Sequence, residues 1–73
     1  MTKEKARKHL LFARENLNFW RELYVSNERD KSSIADVKLV VLGKTMREER
    51  REDYIKNIKE SQERISRLER IAL

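Results

Sequence analysis

The chain has 73 residues, 38% of them hydrophobic, with no cysteine, no proline and one glycine; 18 Lys and Arg face 13 Asp and Glu, a net charge of +5. That length fits one small domain, below the size at which a single core is self-sufficient, and without cysteine neither disulfides nor a thiolate zinc site can make up the difference. Two Phe, two Tyr and one Trp set it apart from disordered chains, and its longest apolar run, Leu39 to Leu42, excludes a membrane span.

The abundance of Glu, Lys, Arg and Leu points to helices. The first is expected from about Thr2 to about Asn27. Ala6, Leu10, Ala13, Leu17, Trp20 and Tyr24 recur at alternating spacings of four and three, which lays one heptad seam along a helix. Phe12, Phe19 and Leu23 form a second line, about 120° away at ~100° per residue. A helix with two apolar lines needs two neighbours.

Residues 26–33 are polar and rich in turn formers, a linker. Ser33 and Asp36 have the spacing of a capping box and open the most apolar stretch, Ile34 to Leu42, with Gly43 in the place of a helix stop. A short buried helix over 34–42 is the leading expectation. The alternation of Val37, Leu39 and Val41 also suits a strand, which in so small a chain is expected to pair with a second copy.

Thr45 and Glu48 form a capping box that starts the third segment, a helix from about Met46 to about Ile71. Tyr54, Ile58, Ser61, Ile65, Leu68 and Ala72 repeat the seam spacing. Glu52–Lys56, Glu60–Arg64 and Glu63–Arg67 are oriented to pair along its flanks, each worth about 0.2–0.5 kcal/mol. Arg47 to Asp53 carries no apolar side chain, so this stretch is not expected to lie against a core.

The expected fold is all-α: a single small domain over residues 1–73, with two long helices and one short one, in an oligomeric helical bundle with coiled-coil-like packing. A nine-residue connector, about 14 Å as a helix, cannot cover two helices of about 39 Å. Leftover apolar surface must meet another chain, and a homodimer is the favoured solution. The candidate interface comprises Phe12, Leu17, Phe19, Trp20, Tyr24, Val37, Val41, Tyr54, Ile58, Ile65 and Leu68. Trp20 and Tyr24 read either as core aromatics or as interface anchors, since both rings give large rigid contacts at low entropy cost.

Chemistry is sparsely signalled. His9 is the only histidine and has no ligand or acid–base companion at helical spacing. Glu48, Glu49, Glu52 and Asp53 alternate with Arg47, Arg50 and Arg51, which suits ion pairing better than a metal site. One glycine cannot build a phosphate-cradling loop. An enzyme is not expected, nor is a cofactor or a bound metal. The leading expectation is a non-enzymatic regulatory or interaction protein that presents helix faces to a protein partner. Lys3, Lys5, Arg7 and Lys8 cluster at the amino end, so a small dimeric nucleic-acid-binding regulator is the competing class. No charged-then-apolar leader opens the sequence, and the expected compartment is the cytoplasm.

Overall fold

A computed structural model describes residues 1–39 and 41–73. Two α-helices of equal length dominate it: α1, Lys3–Arg29, and α2, Met46–Ala72, each 27 residues, or about 40 Å at 1.5 Å per residue. They pack side by side as an antiparallel hairpin. Leu10 and Ala13 near the start of α1 cluster with Leu68 and Ile65 near the end of α2, while Asn27 at the end of α1 meets Arg47 at the start of α2.

Each helix starts where its first-turn amides find a side-chain acceptor. The Thr2 hydroxyl accepts from the Lys5 amide at 3.2 Å and the Thr45 hydroxyl from the Glu48 amide at 3.1 Å, satisfying one orphan donor at each helix start. Glu48 and Glu49 stand in the first turn of α2, where the helix dipole favours negative charge.

The seam between the helices follows the four-three spacing. Ala6, Leu10, Ala13 and Leu17 of α1 are buried, as are Ser61 and Leu68 of α2. Alanine at positions 6 and 13, seven apart, lets the backbones approach, and leucine at 10 and 17 fills the gaps between. The same line continues past Tyr24 to Asn27, which is also buried.

The segment between the helices is not the nine-residue helix expected over 34–42. A single 3-10 turn covers Ser33–Asp36 and is followed by a two-residue strand, β1, Lys38–Leu39. β1 pairs antiparallel with β2, Lys44–Thr45, placing Lys38 opposite Thr45 and Leu39 opposite Lys44. The strand partner thus lies in the same chain, not in a second copy. The part of that expectation that falls on Val40 lies outside the described residues.

Two local signals resolve differently from their sequence reading. Ser32, not Ser33, precedes the 3-10 turn and makes no side-chain cap; the Asp36 carboxylate instead accepts from Arg47 at 3.1 Å. Gly43 ends a turn over residues 41–43 rather than a helix, with φ at +67°, a left-handed conformation that costs a side-chain-bearing residue about 1–2 kcal/mol.

The stretch from Arg47 to Asp53 packs against α1 after all, and does so through guanidinium groups. Arg51 makes a two-pronged contact with Glu28 at 2.6 and 3.0 Å. Arg50 lies 3.6 Å from Asp30. The Arg47 side chain, 14% exposed, donates to the carbonyl oxygens of Asn27 and Asp30 and to the Asp36 carboxylate. Apolar side chains are one way to join two helices. Fork-shaped donors matched to carbonyls and carboxylates at a helix end are another.

The i,i+4 pairs expected along α2 do not form among the described residues; Glu52 pairs with Lys44 of β2 instead. Freely solvated pairs gain too little to fix two long side chains.

Candidate interaction surface

A two-helix hairpin is one helix thick. The molecule measures 48 × 21 × 12 Å with a radius of gyration of 16.1 Å, against about 11 Å for a compact domain of this length. Its accessible surface is 5779 Å², whereas a compact monomer of 8.9 kDa exposes about 4,800 Å². Domains ordinarily enclose a core between layers. Here a single contact seam serves both helices, and their other faces meet solvent.

The candidate interface residues divide accordingly. Leu17 and Leu68 are buried in the seam, and Trp20, Tyr24, Tyr54, Ile58 and Ile65 are half-buried along it. The Trp20 ring lies 6.2 Å from that of Tyr54, tilted by 38°, so these rings close the hairpin itself. Phe12 and Phe19 remain outside, 67% and 53% exposed. Val37 and Val41 are also exposed, at the loop end. The seam and the second aromatic line, distinguished in the sequence by their angular offset, thus part into an intramolecular contact and an uncovered face.

Phe12 and Phe19 are seven residues apart and share one side of α1, with half-buried Leu23 one turn beyond. The Phe19 ring meets Trp20 edge-on, 5.2 Å between centres at 68°, which anchors the uncovered line to the seam. The opposite flank of α1 is ionic. Arg14 reaches Glu69 at 3.7 Å and Glu28 holds Arg51; each lies about 180–200° around α1 from a phenyl ring at 100° per residue. Leu11, Val25 and Ile55 are exposed singly elsewhere, which is ordinary for a protein surface.

Beside Trp20 the interhelical boundary opens into a shallow groove of about 430 Å³, lined by Asn16, Asn57, Glu60, Ser61 and Arg64 among others. It is predominantly polar, unlike the apolar pockets that hold small ligands. Among the described residues no group of three or more His, Asp or Glu is placed to hold a metal ion, and His9 is exposed on α1.

Charge shows what the antiparallel arrangement adds. The amino end of α1 lies beside the carboxyl end of α2, so Lys3, Lys5, Arg7 and Lys8 join Arg64, Arg67 and Arg70 at one end of the molecule. Residues 1–14 and 64–73 together carry eight Lys or Arg against Glu4 and Glu69, while the remainder carries ten against eleven acids. The whole positive surplus is at the open end. Lys3, Lys5, Arg7 and Lys8 form no ion pair among the described residues.

At the loop end, by contrast, ion pairs set the proton affinities. Hydrogen bonds from Arg51 and Arg47 hold the carboxyls of Glu28 and Asp36 below their usual values, and Glu52 and Glu49 raise that of Lys44. This clasp contains no apolar side chain, so hydrophobic periodicity does not mark it. Extending the seam spacing outward finds it: three past Tyr24 is Asn27, and three and seven before Tyr54 are Arg51 and Arg47.

No helix is long and apolar enough to cross a membrane among the described residues. The chain matches no protein-family model, no curated protein and no solved structure.

Proposed function

We propose that this chain is a non-enzymatic interaction or regulatory protein that works as a homodimer, helix face against helix face. The uncovered line of Phe12 and Phe19 on a hairpin one helix thick carries this reading. Aromatic side chains dominate the energetics of interfaces when buried, and here two of them stand in water with no third element among the described residues to cover them. A coiled-coil-like bundle of two hairpins is the assembly that gives each aromatic line a neighbour. The reading takes the cytoplasm as its compartment, in keeping with a small chain that uses no disulfides.

Sedimentation equilibrium tests it. The expected result is a species of twice the chain mass at micromolar concentration, returned to 8.9 kDa by the double change Phe12→Ser and Phe19→Ser with helicity retained. A wild-type chain that stays monomeric throughout would overturn the reading.

The second reading, a small dimeric nucleic-acid-binding regulator, gains from the convergence of both helix ends into one cationic tip. Phosphate contacts by Lys3, Lys5, Arg7 and Lys8 predict binding to DNA or RNA that weakens steeply from about 50 to 200 mM salt. No retention on either polymer at low salt would remove it.

A further inference from the structure

We infer that the two copies lie antiparallel, α1 against α1, with Phe12 of each chain meeting Phe19 of the other. This rests on the dimer reading above and specifies its geometry. Lys5, Lys8, Phe12, Phe19, Leu23 and Ser26 run along one side of α1 at the spacings by which a helix meets a straight neighbour. Antiparallel self-pairing about a two-fold axis between Glu15 and Asn16 places each phenyl ring on a phenyl ring of the partner. The same register sets Lys8 opposite Leu23 and Lys5 opposite Ser26 of the partner subunit. Such an isologous contact closes on itself and leaves no unsatisfied copy of the patch.

Area and charge both favour it. The hairpin exposes about 1,000 Å² more than a compact monomer of its mass, and a standard interface takes about 800 Å² from each partner. Because the positive surplus is confined to residues 1–14 and 64–73, a parallel pair would set two strongly cationic tips side by side. The antiparallel pair separates the tips and lays each one along residues 15–29 of the partner's α1, a half with three acids against two bases. Opposed potentials of this kind fix orientation more than they raise affinity.

The chain has no cysteine, so single cysteines at exposed positions report the register directly. Asn16→Cys is expected to oxidise to a covalent dimer. Lys5→Cys and Ser26→Cys are each expected to stay uncrosslinked alone, because the two copies of residue 5 stand about 32 Å apart along the axis, 21 residues at 1.5 Å each. An equimolar mixture of Lys5→Cys and Ser26→Cys chains is expected to crosslink to each other. All three sites are exposed, and circular dichroism checks that each variant keeps the wild-type helicity.

Self-crosslinking of Lys5→Cys or Ser26→Cys would show a parallel pair and overturn the inference. A dimer by sedimentation in which Asn16→Cys does not crosslink would overturn the register while leaving self-association in place. A wild-type monomer by sedimentation would remove both.

Discussion

Asn27 and Arg47 bond to each other in both directions: the Asn27 amide donates to the Arg47 carbonyl oxygen at 3.0 Å, and the Arg47 guanidinium donates to the Asn27 carbonyl oxygen. Arg47 also reaches Asp30 and Asp36, so one side chain joins the end of α1, the 3-10 turn and the start of α2. Replacing Arg47 with Met keeps the unbranched stem and removes every side-chain donor. The melting temperature should fall, and by more than on replacing Arg50, whose one contact is Asp30 at 3.6 Å. Paired thermal melts at equal protein concentration check this; equal shifts would show that the clasp adds nothing.

Gly43 is a backbone requirement without a packing requirement. A methyl group there would meet no atom within 4 Å, yet φ is +67°. Gly43→Ala should therefore cost about 1 kcal/mol through conformation alone, with no change in helix content. Urea denaturation followed by circular dichroism measures it, and an unchanged midpoint would mean that the turn relaxes to another geometry.

Ala13 is 1% exposed at the close approach of the helices. Leucine at that position forces the backbones apart, an overpacking cost of about 1–3 kcal/mol. The same substitution at exposed Lys56 of α2 should change stability by less than about 0.5 kcal/mol. Denaturant midpoints for the two variants separate a packed seam from a loose one.

The acid limb of stability should reflect Glu28 and Asp36. Both carboxyls sit below their ordinary values of 4.5 and 3.8, chiefly through hydrogen bonds from Arg51 and Arg47. A lowered native pKa means the contribution is complete above the ordinary value and disappears as pH falls through the native one. Stability should accordingly be flat from about pH 8 to about pH 5 and decline below about 4.5, more gently in Glu28→Gln. Lys44 works with the opposite sign: its raised pKa holds its contribution below 10.5 and loses it as pH climbs further. Melting temperature against pH, at low and high salt, tests both limbs, and salt should shrink each one.

The helices and the seam were legible because a heptad line states its own face. Ala6 to Tyr24 and Tyr54 to Ala72 name the residues that an antiparallel pairing brings together, and Thr45 marks where α2 begins. The connector was harder. Val37 and Val41 suit a strand or a buried helix equally, and the sequence holds no local mark that Lys44 and Thr45, polar and just before a helix, would supply the second strand. Arg47 to Asp53 packs without apolar side chains, because carbonyls at the end of α1 and carboxylates beside it give arginine a reason to be there, and no hydrophobic periodicity marks such a contact. The open-end charge could be read only in half: Arg64, Arg67 and Arg70 lie about 60 residues from Lys3 to Lys8 in sequence, and the fold brings them together.

Since α1 and α2 have the same length and run in opposite directions, a handle fused at either extremity sits on the cationic tip. Purification tags, surface-capture linkers and dyes placed there would shield or mimic its lysine and arginine side chains and bias any binding assay. An epitope inserted at residues 41–43, at the far end of the 48 Å molecule, leaves that tip bare and is the better attachment point for immobilisation.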